Sequence, residues 1–154
     1  MSKTKMTLNF MKYIKSALLY PTSATQYFID KNNSQLNMNI SSYYIGSTSE
    51  FEIKLSDSNQ VLTNPTYGDY NMDGTIETLT QTKTIITNQN ESITYQTTIT
   101  NETGTTKTYK QIGLFWVGYN SREFMIANKV LDSDLNIEPN QTKTISFVIN
   151  LSNN

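Results

Sequence analysis

The chain is 154 residues long, the size of a single domain. Only 36% of residues are hydrophobic and 16% charged, against roughly 45–50% and about 25% in ordinary globular domains. The absence of Cys and His excludes disulfide scaffolds, thiolate and imidazole metal sites, thiol nucleophiles and any Ser-His-Asp triad, and a net charge of −1 gives no field that would gather nucleic acid or an anionic membrane.

Along the chain, the first residues are basic, with Lys3 and Lys5, but the apolar stretch behind them is broken by Asn9, Lys12, Tyr13 and Lys15. A signal peptide needs an uninterrupted apolar run of roughly 7–15 residues, and a membrane helix about 20. The expectation is a protein made in the cytoplasm, with neither nucleic acid nor membrane as partner.

Residues 1–35 hold five lysines against one acid, Asp30, whereas the rest of the chain holds seven Lys/Arg against twelve Asp/Glu. Within the first segment Phe10, Met11, Ile14 and Leu18 recur at helical spacing, and Pro21 closes the pattern. A helix this short is marginal alone and needs a surface. The spacing therefore predicts an N-terminal docking arm over residues 1–35, helical or extended, presenting Phe10, Met11, Ile14 and Leu18 to its own domain or to a neighbouring subunit. On the second reading, deleting the arm would leave the domain folded.

From residue 36 the period becomes two. Leu36, Met38 and Ile40 alternate with polar residues, as do Phe51, Ile53 and Leu55, then Ile93, Tyr95 and Ile99, and finally Ile145, Phe147 and Ile149. This is the signature of antiparallel strands buried on one face. Turn signals separate them at Asp57-Ser-Asn, Asn64-Pro65, Asp73-Gly74, Asn101 to Gly104 and Glu138-Pro139-Asn140. The expected fold is all-β: one antiparallel β-sandwich over residues 36–154, immunoglobulin-like or jelly-roll. Its core is drawn from Phe51, Ile53, Ile93, Tyr95, Ile112, Leu114, Ile126, Ile145, Phe147 and Ile149.

Asp69, Asn71, Asp73 and Glu77 are the candidate metal ligands. Their stretch follows the first eight positions of a calcium loop, where alternate oxygens converge and Gly74 allows the sharp turn. Thr80 stands where the bidentate carboxylate should be, and a hairpin turn at Asp73-Gly74 explains the same residues. No cofactor is expected beyond a Ca²⁺ ion at that loop. Glu50/Glu52 and Asp132/Asp134 are paired carboxylates without a cleft to converge on. Serines abound without a nucleophile elbow or a histidine to activate one. Enzymatic turnover is not expected.

Phe115 and Trp116, adjacent in a strand, must face opposite sides. One belongs in a core, and the other lies under a loop or at an interface. Trp116 and Tyr119 are the candidate interface aromatics, which with Tyr43, Tyr44, Tyr67 and Tyr70 could also stack on a sugar.

The segments Gln111-Ile-Gly-Leu-Phe115, Phe124 to Leu131 and Ile137-Glu-Pro-Asn140 leading into Thr144 to Ile149 together resemble small bacteriophage virion structural proteins. Their pattern is a strand reading (E/Q)IGLF, a second apolar strand, a Pro-containing turn and a final alternating strand. The likeness covers roughly residues 75–151, and here Gln111 replaces the commoner acid and Asn128-Lys129 the commoner Ala-Arg. It implies a virion protein without catalytic residues: an auxiliary capsid, head-fibre, collar or tail component, contacting other virion proteins and copies of itself. The alternative is a carbohydrate-binding or adhesion module with a glycan as partner.

Overall fold

A computed structural model of the chain describes residues 5–7, 9–10, 26–38, 50–60, 72, 74, 76–77, 80–81, 85–89, 92–117 and 122–150. The strands are β1 (Lys5–Met6), β2 (Gln26–Ile29), β3 (Gln35–Met38), β4 (Glu50–Ser56), β5 (Ile76–Glu77), β6 (Thr80–Gln81), β7 (Ile85–Gln89), β8 (Ser92–Thr100), β9 (Lys107–Val117), β10 (Glu123–Ile137) and β11 (Thr142–Asn150). Every pairing is antiparallel. One sheet runs β1-β10-β9-β4-β5, the other β11-β8-β6 with β7 also on β8, and β2-β3 form a separate hairpin. The expected all-β sandwich is what the chain forms.

The alternating stripes meet between the two sheets. Ile53, Leu55, Ile112, Leu114, Trp116, Phe124 and Ile126 come from the first sheet, and Tyr95, Ile99, Ile145, Phe147 and Ile149 from the second. Phe51 and Ile93 are half-buried against the same core, and Phe51 packs on Tyr95 across the layers at 4.9 Å between rings. All ten residues expected in the core are therefore in it or packed on it.

β8 to β11 form a long antiparallel ribbon that passes from one sheet to the other. β9 and β10 pair in the first sheet while β8 and β11 pair in the second. Both crossings are held by Asn101, which is fully buried. Its Nδ2 donates to the carbonyls of Ile137 (2.7 Å) and Thr105 (2.9 Å), and its Oδ1 accepts from the Thr103 amide (3.0 Å). At the second crossing the Gln141 amide closes a turn onto the Glu138 carbonyl (3.0 Å), with Pro139 at the second position and Asn140 at φ 59°. That is the sequence logic of a type II turn. Asn101→Ala is expected to cost about 2 kcal/mol by orphaning buried carbonyls and amides, measured as a shift in urea midpoint at constant slope.

The described residues before position 36 pack on the sandwich, the own-domain alternative for the 1–35 segment, and do so as strands β1 to β3 as well as through Phe10. β1 pairs with β10 through Lys5↔Asn128 and Met6↔Ala127. A β-bulge interrupts the β9–β10 register between Met125 and Ala127, and buried Thr7 answers it. The Thr7 amide donates to the Ile126 carbonyl (2.9 Å), and its hydroxyl lies 2.6 Å from the Met125 carbonyl. Asn9, 1% exposed, exchanges two hydrogen bonds with the backbone of Ile29, 2.7 Å to its carbonyl and 3.1 Å from its amide, so a side-chain amide replaces a strand neighbour.

Phe10 has helical backbone and its side chain is half-buried against the core. Phe28 is fully buried in that core, edge-on to Trp116 at 5.7 Å and to Phe124 at 5.8 Å. The boundary expected at residue 35 instead cuts the β2–β3 hairpin, where Ile29 pairs with Gln35.

Candidate functional site

β9 lies between β10 and β4, and side chains cover both of its faces. Inward go Ile112, Leu114 and Trp116. Outward go Gln111, Gly113 and Phe115, the last buried with Met72 and Met125 in a second apolar cluster. Gly113 is where Met72 crosses the sheet, since a Cβ there would lie 2.8 Å from the Met72 sulfur. Beside this cluster Asn128 donates to Gln111 (2.9 Å), and Gln111 donates to the Gln60 carbonyl (2.6 Å).

A charged group sits on the same outer face. Lys54 is only 3% exposed; its ammonium lies 2.6 Å from Glu123, 3.5 Å from Glu52 and 5.5 Å above the Phe115 ring. Glu123 also pairs with Lys31 at 2.8 Å and accepts the Lys31 amide on its carbonyl at 2.9 Å. Burial by itself raises the Glu123 carboxyl, but hydrogen bonds and charge from Lys31 and Lys54 outweigh it and hold its pKa below the ordinary glutamate value.

Lys31 belongs to the β2–β3 turn, which Asp30 organises. The Asp30 carboxylate accepts the Asn32 (3.0 Å) and Ser34 (2.8 Å) amides, with Asn33 at φ 62°. The group thus ties the hairpin to β4 and β10. With Lys54 sealed from solvent, its chemistry is fastening.

The outer face of the second sheet is of the opposite kind. Cross-strand pairs there are Thr142↔Thr100, Thr144↔Thr98, Ser146↔Gln96, Val148↔Thr94 and Asn150↔Ser92, and none carries a charge. Gln96 donates to Ser146 (3.1 Å), and the Thr100 and Thr142 hydroxyls bond at 2.9 Å. Val148, 42% exposed, is the one exposed large hydrophobic among the described residues. Such a face loses little on desolvation by another uncharged surface, whereas charges are depleted from interface cores because they must be stripped of water.

The predicted site residues are scattered with respect to these features. Trp116, expected at an interface, is corrected to the core: it is 5% exposed and packed between Phe28 and Phe124, because the hairpin covers that end of β9. Phe115 is the partner that lies under a loop residue. Phe10 packs on its own chain, while Met11, Ile14, Leu18 and Tyr119 lie outside the described residues.

Asp69, Asn71 and Asp73 also lie outside them; Glu77 is placed only through its backbone, paired with Leu55 in β5. Gly74 takes φ 84°, the positive value a tight turn asks for, packed against Ser56, Asp57 and Ser58. Asp132 and Asp134 are exposed in a second β10 bulge, between Val130 and Leu135. Sequence reasoning missed Lys54, Glu123, Lys31 and Asn101; the Asn101-Glu-Thr-Gly104 turn signal was the only pointer to any of them.

Among the described residues no group of three or more acidic side chains gathers to hold a metal ion, and no described aromatic side chain is exposed. Nor is any described helix long and apolar enough to cross a membrane. Comparison with protein-family models, with curated proteins and with solved structures finds no match.

Proposed function

We propose that the chain is a non-enzymatic structural component of a bacteriophage virion, an auxiliary capsid, head-fibre, collar or tail protein made in the host cytoplasm and carried in the particle. It works through contacts with other virion proteins and with copies of itself. The observation that carries this reading is the uncharged outer face of β8 and β11, taken with the resemblance of residues 111–149 to small virion proteins. Of those residues, the ones on β11 lie on the face, and the others fall on β9 and β10, which continue the same ribbon into the other sheet. A wide uncharged polar surface suits contact with a lattice or a twin, and nothing in it invites a substrate.

Particles purified on a density gradient from a culture of the encoding phage are expected to contain the chain's peptides in a fixed ratio to the major capsid protein. Peptides confined to the soluble fraction would contradict the reading.

A further inference from the structure

We propose that the far edge of β11 is an interface on which a second copy of this chain adds its own β11, antiparallel and centred on Ser146. The inference deepens the assembly reading above and rests on it for its setting.

An edge strand exposes unpaired N–H and C=O groups, and proteins normally guard such edges with short strands, charges, proline, bulges or a covering element. The first sheet is guarded in this way, since its edges β1 and β5 are two residues long. β11 is unguarded. It pairs with β8 over nine residues without a register break, contains no proline, and carries one charge, Lys143, whose ammonium is bent onto the Asn136 carbonyl at 2.6 Å. Among the described residues no strand lies on its far side. Exposure agrees: Thr142, Thr144, Ser146, Val148 and Asn150 are all exposed, whereas on β8, flanked on both sides, only Gln96 of the five outward residues is.

The direction of the free groups follows from the turn. Asn101 donates its amide to Gln141 (3.0 Å) and accepts from Asn140 (2.7 Å), so its backbone faces β11. Alternate residues of a strand direct their N–H and C=O to opposite sides. Ile99, Thr97, Tyr95 and Ile93 therefore bond to Lys143, Ile145, Phe147 and Ile149, and the backbone groups of Thr142, Thr144, Ser146, Val148 and Asn150 point away.

The strand is complementary to itself in charge and in shape. About a two-fold axis at Ser146, Thr142 meets Asn150 and Thr144 meets Val148, which covers the exposed valine, and Ser146 meets its twin. On the core side Ile145 meets Phe147. Lys143 falls opposite Ile149, so the two lysines do not oppose each other. This register engages all five outward-directed residues, and the axis keeps both uncharged faces on one side, doubling the surface offered to a lattice. The contact is isologous and closed, the strand-addition mode with a second copy as the added strand.

Sedimentation velocity of the full chain over a micromolar to millimolar series is expected to show conversion to a species of twice 17.6 kDa. Ser146→Pro removes an N–H directed at the partner and none directed at β8, a placement proline tolerates on an edge; it is expected to abolish the dimer without changing the circular dichroism. Val148→Lys brings a charge to the seam at an exposed position and is expected to do the same, which keeps the test decisive should the proline variant misfold. Thr98→Lys, on the face but away from the edge, should dimerise normally.

A monomer at every concentration, or a dimer that survives Val148→Lys, overturns the proposal. Should the free chain stay monomeric and β11 become protected only on particles, a partner's strand fills the edge, and the virion reading survives without self-pairing. A dimer formed by a chain absent from particles has the converse meaning.

Discussion

Deleting residues 1–35 is expected to unfold the sandwich. The deletion removes Phe28 from its edge-on contacts with Trp116 and Phe124, strips β1 from β10, and leaves the bulge carbonyls of Met125 and Ile126 without Thr7. The single change Phe28→Ala isolates the largest part. Phe28 is fully buried, and truncating such a ring costs about 3–5 kcal/mol through lost burial and the cavity left behind. Against a total of about 5–15 kcal/mol for a domain, loss of the ring, two strand contacts and several buried hydrogen bonds together leaves no margin. Thermal melts followed by circular dichroism check both: Phe28→Ala should melt many degrees lower yet cooperatively, and the truncated chain should show no transition. A truncated chain melting like the full one would mean that the hairpin is an appendage.

Glu123→Ala is expected to cost about 3 kcal/mol, because it withdraws the carboxylate 2.6 Å from a lysine that is 3% exposed and breaks a buried ion pair from one side. Glu52, at 3.5 Å, is the other carboxylate within reach. The pair also sets a pH dependence. The folded Glu123 carboxyl binds its proton less tightly than the unfolded one, so its contribution is complete above the ordinary glutamate value of about 4.3 and is lost as pH falls through the lower folded value. The stability gap between wild type and Glu123→Gln should therefore be widest near neutrality and close in acid. A gap independent of pH would show that the carboxylate charge does not matter there.

β8 and β11 were legible because each buries one face and displays period two over nine residues, as in Ile145, Phe147 and Ile149. β9 and β10, by contrast, are covered on both faces along much of their length and show no such alternation. The N-terminal part was not legible. β2 has four residues, too few for a period, and its core residue Phe28 lies in a stretch whose lysines suggested a separate basic arm. The structure shows why the charge asymmetry misled: Lys31 is matched by Glu123, ninety-two positions away in sequence. Lys54 alternates as a polar outward residue, and it does point outward; alternation reports which face a residue takes, not whether it is then buried there, paired with Glu123 and over the Phe115 ring. The opposite faces of Phe115 and Trp116 follow from the same alternation, which leaves open whether the second of them lies under a loop or at an interface; the structure puts Phe115 under Met72 and Trp116 in the core. Side-chain amides standing in for strands, as Asn9 does for Ile29, leave no periodic trace.

The most direct measurement is residue-resolved amide hydrogen exchange on β11, in the dilute chain and in purified particles. In the dilute chain, Lys143, Ile145, Phe147 and Ile149 should be protected by β8, while Thr142, Thr144, Ser146, Val148 and Asn150 exchange freely. In particles the second set should become protected as well. Identical exchange of that set in both states would contradict assembly through this edge.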